Sequence, residues 1–311
     1  MMFKLEKVKV LHLEPTTTCQ AACPQCSRTI YKSNLVPAEL KLHNIQALLP
    51  EKFIKQLDKM FMCGNFGDPA AARDTLEIFK WFKAVNPSIT LGMNTNGGIR
   101  HASWWADLAA VLTSPTDYVV FSIDGLEDTN HIYRIGVNWD NIMTNSASFI
   151  NRGGNAHWDM LVYKHNEHQV SECTELAKSL GFKWFRSKVT RRLINVDFLE
   201  LPSNTKINNV VKGKINCHAL NEKSVLLNAQ GKLLPCCFIN DLTARSDFEI
   251  KSTLVLNNLD LFQHSLNEVI STFSVITDTW SDSVPYSECS KTCSTQAFTN
   301  QWKTEICLTT N

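Results

Sequence analysis

The sequence predicts an α/β fold whose parallel sheet is built from repeated strand–helix units. Six short apolar runs have strand character, and segments of helical spacing lie between them. Polar or glycine-rich residues follow these runs, which is where the βα loops of a barrel build its active site. Six repeats fall short of the eight that close a TIM barrel.

The predicted elements follow one another through the first part of the chain. Strands are expected at 8–14, 61–63, 89–93, 118–123, 158–163 and 183–189. Helices are expected at 44–58, 73–85, 103–112, 139–151 and 170–180, the last ended by Gly181 as a C-cap residue. The pattern then changes, so we expect a core domain at 1–195, a bridge at 196–212 and a cysteine-richer domain at 213–311.

Composition restricts the class of protein. A chain of 311 residues with 44% hydrophobic and 20% charged residues is typical of a soluble globular protein. The net charge of +1 argues against a nucleic-acid partner, and no apolar run is long enough to span a membrane. Eleven cysteines at metal-like spacings, with no signal peptide, indicate a reducing cytoplasm.

Three cysteines follow the first predicted strand with the spacing C-x3-C-x2-C. They are Cys19, Cys23 and Cys26. Structural zinc sites and ordinary ferredoxin-type clusters take four protein ligands. Three thiolates on one loop suit a [4Fe-4S] cluster in which one iron has no protein ligand. A zinc knuckle that takes its fourth ligand from a distant residue is the alternative.

This spacing resembles the signature of the radical SAM superfamily, in which the open iron chelates S-adenosylmethionine. Later segments resemble the family's cofactor motifs in the same order: Phe66-Gly67-Asp68-Pro69, Asn94-Thr95-Asn96-Gly97, Ser122-Ile123-Asp124-Gly125 and Arg134. The resemblance covers about residues 8–192 and implies cofactor contacts by Phe66, Gly67, Asp68, Asn96, Ser122, Asp124 and Arg134. Gln25 departs from it, because the family usually has an aromatic residue there, near the adenine.

The resemblance implies a fold and a chemistry. The family core is a partial (β/α)6 TIM-like barrel, which the count of six units fits. In the family, the reduced cluster cleaves S-adenosylmethionine to a 5'-deoxyadenosyl radical, which abstracts hydrogen from a substrate. Such chemistry needs a low-potential cluster and a reducing partner such as flavodoxin or ferredoxin.

The C-terminal cysteines form a second set. Cys217 and Cys236 flank Gly231 as C-x13-G-x4-C, around a predicted β-hairpin, and Cys289 and Cys293 follow. This set resembles the SPASM/twitch extension, which implies a small α+β twitch domain carrying a hairpin and an auxiliary [4Fe-4S] cluster. The implied ligands are Cys217, Cys236, Cys289 and Cys293. A zinc site of four cysteines is the alternative.

The remaining cysteines receive weaker interpretations. Cys237 is expected to be a structural neighbour that points away from Cys236 on a strand. Cys307 either replaces Cys293 as a ligand or stays free. Cys63 and Cys173 are expected to pack in the interior. A redox or hydrogen-donor role is the alternative for Cys63, which ends the second predicted strand near the cofactor site.

Relatives with this organisation suggest a peptide or small-molecule substrate. Peptide maturases often carry an N-terminal domain that binds a leader peptide. The cysteine loop begins here at residue 19, so we expect no such domain. The alternative hypotheses are a glycyl-radical-type activase and a non-enzymatic zinc protein.

Overall fold

The computed structural model describes residues 3–190, 197–203, 205, 212–244, 258–278, 287–296 and 303–309. The strands are β1 (Val10–Leu13), β2 (Lys59–Met62), β3 (Thr90–Thr95), β4 (Tyr118–Ser122), β5 (Ala156–Val162), β6 (Trp184–Val189), β7 (Lys212–Ile215), β8 (Ser224–Leu227), β9 (Leu233–Leu234), β10 (Ser294–Gln296) and β11 (Lys303–Cys307). The helices are α1 (Ser27–Ile30), α2 (Leu42–Leu48), α3 (Glu51–Lys55), α4 (Thr75–Val85), α5 (Ala102–Val111), α6 (Glu127–Tyr133), α7 (Trp139–Asn151), α8 (Val170–Leu180), α9 (His218–Asn221), α10 (Cys237–Leu242), α11 (Leu266–Thr272), α12 (Ser274–Asp278) and α13 (Ser287–Cys293).

One nine-stranded sheet organises the molecule, with the order β11-β6-β5-β4-β3-β2-β1-β8-β9. Strands β1 to β6 are parallel and neighbours in chain order, and β8 adds a further parallel strand to β1. Antiparallel β9 and β11 form the two edges. The predicted α/β class and the incomplete barrel are therefore confirmed.

Alternation along the strands separates two faces of the sheet. Residues such as Leu11, Met60 and Leu91 have no exposed surface and belong to the core formed with the helices. Residues of the opposite parity, among them Phe61 and Asp159, line a cavity of about 680 Å³. The sheet therefore has one face in the apolar core and one mixed face that surrounds open space.

One expected helix differs from the structure. The helix expected at 44–58 is divided into α2 and α3, because Pro50 lies between them and disfavours helical geometry in the residue before it.

The hairpin around Gly231 is present as β8 and β9, with φ of +78° at that glycine. It joins the main sheet through β1, a contact that links the two predicted domains. Among the described residues, no helix is long and apolar enough to cross a bilayer.

Candidate functional site

The three cysteines of the first motif lie on the loop between β1 and α1. Cys23 is buried, and Cys19 and Cys26 are half-buried. The backbone N–H of Cys26 donates to the oxygen of Cys23 at 3.0 Å. The loop lies at the carboxyl ends of the parallel strands, where α/β folds bind their ligands. The segments that follow β2, β3 and β4 reach the same region.

Asn96, directly after β3, contacts the first cysteine. Its Nδ2 lies 3.6 Å from the Sγ of Cys19 and 2.6 Å from the Oδ2 of Asp68. Its Oδ1 accepts from Gln20 at 2.6 Å. Burial and the charge of Asp68 raise the pKa of Cys19 to about 12. A thiolate at this position therefore needs a cationic partner.

Arg134, at the end of α6, contacts the second cysteine. Its Nη1 lies 3.9 Å from the Sγ of Cys23, and its Nε donates to the Oδ2 of Asp124 at 2.6 Å. Asp124 is fully buried and also accepts from the N–H of Leu161 at 2.6 Å. Burial raises the pKa of Cys23, while the Arg134 charge opposes that rise. Asp124 thus orients Arg134 toward the cysteine loop.

The third cysteine contacts the loop after β2. The Sγ of Cys26 lies 3.8 Å from the oxygen of Asn65, whose Nδ2 donates to the oxygen of Cys237 at 2.8 Å. The Oδ1 of Asn65 is buried and has no partner among the described residues. A buried polar atom of this kind beside the cysteines suits a site that receives a polar ligand.

The Phe66-Gly67-Asp68 segment packs directly on the cysteine loop. A Cβ on Gly67 would lie 1.9 Å from the oxygen of Thr16, so only glycine fits there. The N–H of Asp68 donates to the oxygen of Thr18 at 2.8 Å. Phe66 is buried. The segment is therefore held against the residues that precede Cys19.

The Asp68 carboxylate turns toward the end of β3. It accepts from Ala70 N–H at 2.9 Å, from Thr95 Oγ1 at 2.8 Å and from Asn96 N–H at 2.8 Å. These contacts make Asp68 an organiser of the turn that carries Asn96. Ser122 is the last residue of β4, at the carboxyl end of the strand, and is half-buried.

Gln25 takes polar partners where the family usually has an aromatic residue. Its Oε1 accepts from the hydroxyl of Tyr163 at 2.8 Å and from that of Thr190 at 3.1 Å. Tyr163 follows β5 and Thr190 follows β6, so Gln25 attaches the cysteine loop to the far strands. The departure in sequence therefore has a structural consequence of its own.

Glu14 was not selected from the sequence, although it belongs to this site. It has no exposed surface, and it accepts from the N–H of Phe66 at 2.6 Å and from Nδ2 of Asn240 at 2.9 Å. Burial raises its pKa to about 7. An acidic residue at the end of the apolar strand Val10–Leu13 was the available signal.

The C-terminal unit brings the second cysteine set together. Cys217 and Cys236 are the N-cap residues of α9 and α10, and Cys289 and Cys293 lie one turn apart on α13. A hydrogen bond to Cys293, burial and the proximity of Cys236 raise the pKa of Cys217. Burial and the neighbouring thiols, including Cys289, raise the pKa of Cys236. Cys217 is therefore hydrogen-bonded to Cys293, and Cys236 lies near both Cys217 and Cys289.

The other cysteines are distributed differently. Cys307 is exposed on β11 opposite Trp184, the first residue of β6, so it lies at the amino end of that strand. Cys237 begins α10, which corrects the expectation that it lies on a strand. Cys173 is fully buried in α8, as predicted. Cys63 follows β2, and burial and the neighbouring Cys237 raise its pKa to about 12.

Within the described ranges, no group of three or more His, Cys, Asp or Glu side chains is arranged to hold one metal ion.

Comparison with known proteins gives a structural likeness. No family model matches the chain, and no curated protein matches it by sequence. Streptococcus suis SuiB bound to S-adenosylmethionine is similar with a TM-score of 0.57 at 14% identity, over 90% of this chain and 65% of SuiB. The protein anSMEcpe with bound AdoMet is similar with a TM-score of 0.57 at 13% identity, over 84% of this chain and 77% of that one.

BtrN in complex with AdoMet and 2-DOIA is also similar, with a TM-score of 0.50 at 9% identity, over 88% of this chain and 87% of BtrN. At these identities the likeness shows the fold. The resemblance to radical SAM enzymes is thus confirmed at the level of the fold. The chain spans just under two thirds of the length of SuiB.

Proposed function

We propose that this protein is a radical SAM enzyme. It would cleave S-adenosylmethionine reductively and abstract hydrogen from a peptide or small-molecule substrate. The observation that carries the proposal is the convergence of Asn96, Arg134 and Asn65 on the thiols of the C-x3-C-x2-C loop. The AdoMet held by three proteins of the same fold supports the identity of the ligand.

The residues present fit a [4Fe-4S] cluster with an open iron. Cys19, Cys23 and Cys26 would be its ligands, and the raised pKa values of Cys19 and Cys23 would fall once a cationic cluster compensates the thiolate charge. When bound, the reduced cluster and S-adenosylmethionine supply an electron and a 5'-deoxyadenosyl radical. The protein supplies binding, orientation and the exclusion of water.

Side chains around the loop divide the remaining tasks. Arg134 has one nitrogen on Asp124, and the rest of its planar fork suits the cofactor carboxylate. Phe66 and Gly67 would present backbone to the cofactor, and Asp68 would hold Asn96 in position. Ser122 would face the ribose or the substrate. Asp124 would act by orienting Arg134.

We further propose an auxiliary [4Fe-4S] cluster in the C-terminal unit. Cys217, Cys236, Cys289 and Cys293 would hold it, which their mutual proximity supports. It would bind the substrate or accept its electron. Flavodoxin or ferredoxin is the proposed reducing partner, and the cytoplasm is the proposed compartment.

The substrate proposal rests on what similar structures contain. SuiB is bound to the precursor peptide SuiA, anSMEcpe to the Cp18Cys peptide and BtrN to 2-DOIA. Peptides and a small molecule are therefore both represented. The hypotheses of a glycyl-radical-type activase and of a zinc protein predict different products and metals, which the following experiment separates.

The test uses anaerobically reconstituted protein with dithionite and S-adenosylmethionine. We expect about eight irons per chain and 5'-deoxyadenosine from the wild type, since each cluster holds four irons. Changing Cys19, Cys23 and Cys26 to alanine should leave about four irons and no nucleoside. Changing Cys217, Cys236, Cys289 and Cys293 should also leave about four.

Cys307→Ser is the matched control, because this thiol is exposed and lies at the amino end of β6, at the opposite end of the sheet from the first cysteine loop. It should retain the iron content and nucleoside formation of the wild type. Folded wild-type protein that takes up zinc and forms no 5'-deoxyadenosine would contradict the proposal. Transfer of the radical to a partner protein would favour the activase.

A further inference from the structure

A buried chain of side-chain hydrogen bonds connects the loop after β2 with the C-terminal hairpin. Glu14 accepts from Phe66 N–H at 2.6 Å and from Gly67 N–H at 3.4 Å through Oε1. Its Oε2 accepts from Nδ2 of Asn240 at 2.9 Å. Oδ1 of Asn240 accepts from Nδ2 of Asn228 at 2.9 Å. Glu14 and Asn240 have no exposed surface, and Asn228 is 3% exposed.

The donors and acceptors of this hydrogen-bond chain have a fixed order. Oδ1 of Asn228 accepts from the N–H groups of Gln230 and Lys232, both at 3.0 Å, in the hairpin turn. Because backbone N–H groups only donate, Nδ2 of Asn228 must face Asn240, and Nδ2 of Asn240 must then face Glu14. A carboxylate, which only accepts when ionised, therefore fits the end of the chain.

At one end of the hydrogen-bond chain, the Glu14 carboxylate fixes the orientation of two peptide groups in the loop after β2. In a trans peptide the N–H and the preceding C=O point in opposite directions. Holding Gly67 N–H therefore directs the oxygen of Phe66 away from Glu14, and holding Phe66 N–H does the same for the oxygen of Asn65. The Asn65 oxygen is the atom that lies 3.8 Å from the Sγ of Cys26.

We propose that Glu14 is a positioning residue for the cofactor, and that the C-terminal hairpin sets the affinity for S-adenosylmethionine through Asn228, Asn240 and Glu14. This inference rests on the proposed function. Asn240 lies on α10, whose N-cap is Cys236. Asp241 on the same helix accepts from Ser27, the residue after Cys26. The helix that begins at the auxiliary cysteines thus contacts both sides of the first cysteine loop.

The test exchanges the carboxylate of Glu14 and the amide of Asn240, which are adjacent in the hydrogen-bond chain. Glu14→Gln places an amide N–H against Asn240 Nδ2, so two donors meet. Asn240→Asp places two carboxylates together. The double variant restores the pattern, because the new glutamine can accept from Phe66 and donate to the new aspartate, which still accepts from Asn228. A double-mutant cycle then isolates the coupling.

The quantities to measure are the dissociation constant for S-adenosylmethionine, by equilibrium dialysis, and the rate of 5'-deoxyadenosine formation at saturating cofactor. We expect each single variant to bind about tenfold more weakly or worse, since an unsatisfied buried polar group costs about 1–3 kcal/mol. The double variant should return to within about threefold of the wild type. The saturated rate should change less than the affinity in all three.

Asn86→Asp is the matched control for loss of stability. Asn86 is buried, and its Nδ2 donates to Ile54 and Leu57 at the opposite end of the sheet. It should lower the melting temperature and leave cofactor affinity unchanged. Iron content and melting temperature are recorded for every variant, and Asn240→Ala, which removes the donor without adding charge, is measured should Glu14→Gln not fold.

Two outcomes would overturn the inference. One is wild-type affinity in Glu14→Gln or Asn240→Ala, and the other is a folded, iron-loaded double variant that shows no recovery. Failure of the proposed function is distinguishable, because wild-type protein itself would then neither bind S-adenosylmethionine nor form 5'-deoxyadenosine.

Discussion

The ion pair of Asp124 and Arg134 illustrates how one side chain orients another in the site. Asp124 has no exposed side-chain surface, and the Arg134 side chain is 15% exposed. Desolvated charges of this kind are stable only together. The aspartate therefore secures the orientation of the guanidinium beside Cys23.

Asp124→Asn should destabilise the fold by about 3–5 kcal/mol, because it leaves a buried guanidinium without its counter-charge. Urea denaturation of the wild type and the variant measures this difference. Glu77→Gln is the control, since Glu77 pairs with Lys80 at the surface, with both side chains more than half exposed. That change should cost less than about 0.5 kcal/mol. A loss below about 1 kcal/mol in Asp124→Asn would show that Arg134 does not depend on Asp124 as its counter-charge.

Glu14 predicts a pH dependence of stability. Burial raises its pKa from 4.5 to about 7, so its contribution to stability is complete below about pH 4.5 and is lost as the pH rises through 7. Relative to Glu14→Gln, the wild type should lose up to about 3 kcal/mol between about pH 5 and pH 8. The free energy of unfolding, measured for both proteins at both pH values under anaerobic conditions, tests this. Parallel pH profiles would show that Glu14 does not titrate in this range.

The hairpin formed by β8 and β9 depends on a glycine with left-handed backbone geometry. Gly231 has φ of +78°, and a Cβ there would lie 2.4 Å from the ring of Phe262. Phe262 is 55% exposed, so its ring can move aside at low cost. The unfavourable backbone conformation then dominates the effect of any substitution.

Gly231→Ala should lower stability by about 1–2 kcal/mol. Gly153→Ala is the matched control, because Gly153 has φ of +92° with no atom within 4 Å of an added Cβ. The two variants should therefore lose similar amounts in thermal or urea unfolding. A much larger loss at Gly231 would mean that Phe262 is held in place.

The elements and motifs were predictable because they depend on local sequence. Contacts between residues far apart in the sequence were not predictable. The order of strands, the cysteine loop and the Gly231 turn follow from short stretches of sequence. Pro50 carried the signal that divides the helix expected at 44–58, and that signal was missed. Glu14 and Asn240 are separated by 226 positions, so their contact depends on the assembled sheet. The same holds for the pairing of β11 with β6.

At the level of the whole molecule, the two predicted domains share one sheet. β8 pairs with β1 over all four residues of each strand. A fragment of residues 1–195 would expose this side of β1, with unpaired N–H and C=O groups. We expect the fragment to aggregate, as measured by size-exclusion chromatography with light scattering beside the full chain. A monomeric fragment with cooperative melting would contradict this.

The pairing of β1 with β8 also has a consequence in time. A ribosome makes β1 roughly 210 residues before β8, which at about 5–20 residues per second is a delay of roughly 10–40 s. Throughout this interval β1 can pair with β2 but not with β8, which has not yet been synthesised. Cells with reduced chaperone capacity should therefore lose soluble yield of this protein during translation.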